Sequence, residues 1–254
     1  MSKGKVILII FICLVTAAVA AGIVAAMVEK SDSAQNKDAK QSVSQTNEVI
    51  TQYTTGKSSH EKIRVACVGD SITYGYGLYN RDTDSYPAVL QQLLGDKYEV
   101  INFGLSGRTA TLSGDKPYAL EDYFEQSKSF SPHIVLLMLG TNDTKKINWN
   151  RAQFVNDYRY LINTYSSLPE QPQVYVMLPP PLFDMQEKDT YPNEAVLKLQ
   201  TIPLLKVIAK QKDLPVINLY QEFENKPYLL SDGCHPNEVG AEAIAKLVYN
   251  AITK

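Results

Sequence analysis

The chain is 254 residues long, 44% hydrophobic and 20% charged, with a formal net charge of -2. These values fit an ordinary globular domain with some additional chain and exclude a fibrous or wholly disordered protein. With no block of basic residues interleaved with aromatics, nothing points to nucleic acid or an anionic surface as a partner.

The first predicted element is apolar. Lys3 and Lys5 precede VILIIFICLVTAAVAAGIVAAMV, which runs from Val6 to Val28 without a charge. A run of more than about 18 apolar residues is long enough to cross the roughly 30 Å hydrocarbon layer as a helix. Basic residues ahead of it favour an inside N-terminus, which puts everything after Glu29 outside. Ala18-Val19-Ala20 has the small-x-small pattern of a signal-peptide cleavage site, the alternative reading. The apolar run continues well past Ala20, so an uncleaved single-pass anchor over residues 1–29 is favoured over secretion after cleavage. Cys13 follows the bulky Ile12 and sits early, which argues against a lipoprotein. Either route exports the domain, and the N-terminal helix is the sole expected membrane contact.

Residues 30–62 are dominated by Ser, Gln, Asn, Thr and Lys. Such a segment buries too little apolar surface to offset its ordering entropy, so a flexible polar linker is expected.

From residue 63 to 254, strand-like and helix-like patterns alternate. IRVACV (63–68), YEVINF (98–103), HIVLLML (133–139), QVYVML (173–178) and LPVINL (214–219) are short, near-continuous apolar runs. Helical stretches follow them: 86–95, about 118–128, 150–167, 192–212 and 237–252, with Pro203 expected to kink or split the fourth. Strands apolar on both faces imply a parallel sheet covered on both sides. The expected fold class is therefore α/β: a three-layer α/β/α sandwich with a central, about five-stranded parallel sheet in the order 2-1-3-4-5. In such sheets ligands bind beyond the carboxyl ends of the strands. The loops to inspect are 69–84, 104–117, 140–149, 179–191 and 220–236.

The first of these loops holds Ser71 in VACVGDSITYG (65–75). Alone, Ser71 is either a nucleophile or the start of the next helix, because an unassisted hydroxyl is a poor nucleophile. Of three histidines, His60 lies in the linker and His133 opens the third strand at the opposite end of the sheet. His235, in SDGCHPNEVG, is the one at the correct end. Asp232, three residues before it, either orients the imidazole through Nδ1 or simply makes a turn. Candidate oxyanion donors are the N–H groups after Ser71, the turn GLSG (104–107) and the Asn142 side chain in LGTND. In an exported protein Cys67 and Cys234 are candidates for a disulfide, but Cys67 lies inside the first strand and Cys234 on a loop beyond the strand ends, so two buried free thiols are the favoured expectation. No cysteine cluster has metal-ligand spacing, and no cofactor is implied.

GDSIT (69–73), NFGLSG (102–107), GTND (140–143) and DGCHPN (232–237), in this order and spacing, resemble the SGNH (GDSL-type) hydrolases. The likeness covers essentially all of 63–254 and implies the flavodoxin-like fold of that family. It implies Ser71 as nucleophile, His235 as base and Asp232 as its orienter. It also implies an oxyanion hole from the N–H groups of Ser71 and Gly107 and the Asn142 amide. Cys234 departs from the pattern, standing where an apolar residue is expected.

The family spans carbohydrate deacetylases, lysophospholipases, thioesterases and acyltransferases. VACVGDSITYG, NFGLSG, GDKPY (114–118), INW (147–149) and LPPP (178–181) look most like its carbohydrate O-acetylesterase branch. The expected activity is a carboxylic ester hydrolase removing small O-acyl groups, acetyl first, from a saccharide. A lipid esterase or thioesterase is the alternative; an envelope acyltransferase or an inactive glycan-binding module ranks below. Tyr74, Tyr76, Tyr79, Tyr118 and Trp149 lie near the site loops, where aromatic faces stack on sugar rings. Arg108, after Gly107, is a candidate for holding an anionic substituent. Asp70 is read as shaping the turn and is also counted among the candidate substrate contacts. The sequence leaves oligomeric state open.

Overall fold

The computed structural model describes residues 61–186 and 188–254. The expected anchor and nearly all of the linker lie outside the described residues. Among the described residues no helix is long and apolar enough to cross a membrane.

Five strands form one sheet: β1 (Ile63–Gly69), β2 (Tyr98–Gly104), β3 (Ile134–Met138), β4 (Gln173–Leu178) and β5 (Val216–Asn218). All neighbours pair in parallel, in the order β2-β1-β3-β4-β5. The helices are α1 (Ser71–Tyr74), α2 (Arg81–Asp84), α3 (Tyr86–Leu94), α4 (Asp122–Ser129), α5 (Arg151–Ser166), α6 (Glu194–Val196), α7 (Ile202–Gln211), α8 (Leu219–Phe223) and α9 (Glu238–Ile252).

Alternate residues of β1, β3 and β4 feed two separate cores, and the edge strand β5 adds Ile217 to one of them. Val65, Cys67, Leu136, Met138 and Ile217 pack with Tyr86, Leu90, Ile244, Ala245 and Val248 from α3 and α9. Ala66, Val68, Val135, Leu137 and Val176 point the other way, onto Phe124, Phe154, Tyr158, Leu161 and Leu205 from α4, α5 and α7. Burial on both faces explains why the strands read as unbroken apolar runs. The result is a three-layer α/β/α sandwich.

Three local differences from expectation have clear causes. The fifth strand shortens to Val216–Asn218, because Leu214 N–H donates to Ala209 O and closes α7 instead. The fourth stretch is divided ahead of Pro203 by a change of helix type. A π turn at Leu197–Thr201 precedes it, and Pro203 sits in the first turn of α7, where a missing N–H costs nothing. The helices α1, α2 and α8 span five residues or fewer, too short for any hydrophobic period to reveal.

Register sets up the site. Gly69 pairs with Gly104 on one side and Met138 on the other. The chains leaving β1, β2 and β3 therefore start level with one another, side by side.

Candidate active site

Ser71 opens α1 directly beyond β1. Asp70 caps this turn, its Oδ1 accepting from Ile72 N–H at 3.0 Å. A four-residue helix leaves no room for a long dipole, so the environment of the hydroxyl is set by neighbouring loops.

The loop before α9 supplies the partner. Asp232 Oδ1 accepts from the backbone N–H groups of Cys234 at 3.0 Å and His235 at 2.8 Å, which folds the carboxylate back under its own turn. Asp232 Oδ2 lies 2.7 Å from His235 Nδ1, and His235 Nε2 lies 2.9 Å from Ser71 Oγ. A carboxylate only accepts, so Nδ1 carries the proton and Nε2 accepts from the serine hydroxyl. Burial works against the charge on Asp232, but hydrogen bonds from the His235 ring and from the two backbone N–H groups outweigh it. Its carboxyl is held below the usual range. Gly233 makes the turn possible: its φ is +80°, and a Cβ there would sit 2.0 Å from Phe183 O. The same contact is a clip, since Phe183 N–H donates to Gly233 O at 2.8 Å. Asn237 then caps α9 by accepting from Gly240 N–H.

The loop after β2 is anchored by a buried carboxylate one residue beyond Asn142. Asp143 accepts from Thr111 Oγ1 at 2.6 Å, Thr111 N–H at 2.8 Å and Ala110 N–H at 2.9 Å. Burial raises its carboxyl above the ordinary value in spite of those donors. This clamp fixes the loop after β2 against the loop after β3, bringing Gly107 and Asn142 to one wall. Gly107 has φ +81°, and a Cβ there would touch the Lys116 side chain at 3.5 Å; its N–H and that of Ser71 meet no protein acceptor among the described residues. The Asn142 amide is engaged: Nδ2 donates to Asp70 Oδ2 and to Arg108 O, each at 3.2 Å.

Ser71, Gly107, Asn142, Asp232 and His235 line one cavity of about 510 Å³. A second cavity of about 640 Å³ lies against the same segment and shares Asp184, Met185, Gln186, Tyr191 and Pro192 with it. Tyr76 borders the cavity, its ring 4.6 Å from that of His235.

None of the five residues expected to contact substrate borders this cavity. Tyr118 is fully buried and donates its hydroxyl to Phe103 O at 2.7 Å. Trp149 packs on Phe154 and donates to Gln200. The Tyr74 ring lies under the Arg81 guanidinium, 4.0 Å away. Arg108 pairs with Glu121 at 2.8 Å and donates to Ser106 O at 2.7 Å, a structural ion pair. Asp70 is buried beneath the serine turn and faces protein on both oxygens. Tyr79, also considered, is fully exposed away from the cleft. In their place stand Lys145 and Tyr191. Lys145 has a signal in hindsight, lying two residues beyond GTND at a strand's carboxyl end. Tyr191 has none, because only the fold of the 179–193 segment brings it there. Both Cys67 and Cys234 are buried free thiols, and burial pushes each thiol well up.

The family model described as GDSL-like lipase/acylhydrolase matches residues 67–243. An acetylxylan esterase of Xylanibacter ruminicola is 35% identical over 211 residues, covering 76% of this chain and 43% of that protein. This chain thus spans less than half of that relative's length. Among solved structures, a carbohydrate acetylesterase from Sinorhizobium meliloti shares the fold with a TM-score of 0.60 at 24% identity, covering 75% of this chain and 100% of that one. An inhibitor-bound aryl esterase of M. smegmatis gives 0.61 at 22%, covering 74% and 97%.

Proposed function

Because the chain belongs to the GDSL-like lipase/acylhydrolase family, we propose that it is a serine carboxylic ester hydrolase that removes acetyl groups from a saccharide outside the cell membrane. The observation that carries this reading is the hydrogen-bonded series Asp232–His235–Ser71, open to a cavity with two unengaged backbone N–H groups in its wall. The acetylxylan esterase relative supports acetyl as the acyl group and a plant-type glycan as its carrier. Two neighbouring cavities lined in part by the same residues support a substrate larger than a single sugar. The membrane-tethered, outward-facing placement rests on Lys3, Lys5 and the apolar run after them.

In the proposed reaction, Ser71 Oγ attacks the acyl carbonyl while its proton passes to His235 Nε2. Asp232 stabilises the imidazolium through Nδ1–H. The N–H groups of Ser71 and Gly107, with the Asn142 amide, take the oxygen that becomes negative. His235 returns the proton to the departing sugar oxygen, leaving acetyl-Ser71. Water, deprotonated by His235, then releases acetate. A Ser71→Ala variant of the full chain tests this on p-nitrophenyl acetate, the octanoate ester and acetylated xylan. The wild type should favour acetate over octanoate, and the variant should lose on the order of 10⁴-fold or more in kcat. A variant near wild-type activity removes Ser71 as nucleophile. Preference for octanoate moves the reading to a lipid esterase.

A further inference from the structure

Asp70 is a buried carboxylate that the proposed chemistry leaves unused. Among the described residues no salt bridge reaches it, which makes it an expensive group to keep. Capping Ile72 does not require a charge, since a neutral Asn accepts equally well at that position. What an amide cannot supply is two acceptors. Asp70 uses both oxygens, Oδ1 for Ile72 N–H and Oδ2 for the Asn142 amide. An Asn at 70 that kept the Ile72 bond would turn an NH2 group toward the NH2 of Asn142.

The two bonds of the Asn142 amide differ in exposure. The one to Asp70 is buried, whereas the one to Arg108 O is partly exposed. An entering acyl oxygen therefore competes with Arg108 O and leaves the Asp70 bond in place. We propose that Asp70 is a positioning residue that holds the Asn142 amide so that its second N–H is presented to the oxygen developing charge during attack by Ser71. This inference rests on the esterase reading. It requires the ionised form, because a proton on either oxygen displaces one of the two donors. Burial raises the Asp70 carboxyl to about 6, and the nearby Asp143 adds to the rise. Ile72 N–H, His235 and Lys145 oppose it. Cys234 also lies close to it and stays a neutral thiol.

A double-mutant cycle on the full chain with p-nitrophenyl acetate reads the coupling. Asp70→Asn should lower kcat at least about tenfold with KM little changed, and Asn142→Ala about 100-fold. The double variant should match Asn142→Ala alone, since Asp70 acts through the group already removed. Losses that multiply, or a D70N variant with wild-type kcat, overturn the proposal. A second measurement does not depend on D70N folding. The wild-type kcat should show an acid limb near 6 that N142A lacks. Identical profiles overturn the proposal. A wild type inactive on every ester removes the esterase reading itself, whereas an active wild type with an unaffected D70N removes this inference alone.

Discussion

Replacing Thr111 by Val tests the clamp that joins the two loops of the oxyanion wall. The change is close to isosteric and leaves both backbone bonds to Asp143, removing only the 2.6 Å bond from Thr111 Oγ1 to Oδ1. Thr111 and Asp143 are both fully buried, so water does not replace the lost donor. A hydrogen bond to a charged group contributes about 1.5–3 kcal/mol. For a domain of this size, each kcal/mol moves Tm by about 2–4 °C, so a fall of about 3–12 °C is expected. The cost should depend on pH. Burial already raises the Asp143 carboxyl, and the hydrogen bond from the Thr111 hydroxyl opposes that rise most strongly. Without it the carboxyl rises further, so the penalty is larger at the higher pH and shrinks as Asp143 becomes protonated on acidification. Urea unfolding of wild type and variant at pH 7 and pH 4 measures both quantities. A neutral-pH difference under about 0.5 kcal/mol, the usual range for inconsequential surface changes, refutes the clamp.

Gly233→Ala combines a left-handed φ of +80° with a Cβ 2.0 Å from Phe183 O, so the clip to the 179–193 segment must open. A loss of at least about 2 kcal/mol in stability is expected from the backbone conformation and the clash together, with a fall in kcat as the His235 loop shifts; thermal melts and ester hydrolysis check it. Asn142→Ala should cost about 2.7–4 kcal/mol of transition-state stabilisation, read from kcat/KM, and an unchanged value means the amide is not an oxyanion donor. Asp70→Asn should gain stability relative to wild type as pH rises. A folded-state value of about 6 against an ordinary 3.8 makes ionisation a penalty, absent below 3.8 and full above about 6. At 1.36 kcal/mol per pH unit this amounts to about 3 kcal/mol at most, and a pH-independent difference between the two proteins would contradict it.

The sheet was readable because its inner strands β1, β3 and β4 are buried on both faces, so composition marks them, and the edge strands β2 and β5 keep enough apolar residues to follow. Ser71, Asp232 and His235 were readable for a different reason: only one histidine falls beyond a strand's carboxyl end, and its aspartate is local in sequence. The contacts expected of Tyr118, Trp149 and Arg108 failed because proximity in a loop does not fix direction. Asp143, through Ala110 and Thr111, steers the loop after β2 so that Tyr118 turns into the core and Arg108 toward Glu121. Tyr191 comes to the cavity through loop packing over a long sequence separation, which no period or motif encodes, whereas Lys145 follows GTND directly.

The turn containing Asp232 and His235 has a mechanical consequence. Both ring and backbone of His235 are tied to one carboxylate three residues away, so base and orienter move as one body. Ser71 belongs to another body, the end of β1. The attack distance is therefore a single alignment coordinate between two parts, and the second part is carried by the start of α9, which packs through Ile244, Ala245 and Val248 against the same core as β1. A helix with no group in the cavity thus acts as the instrument's mount, and a volume change at Ile244 would be read at the serine.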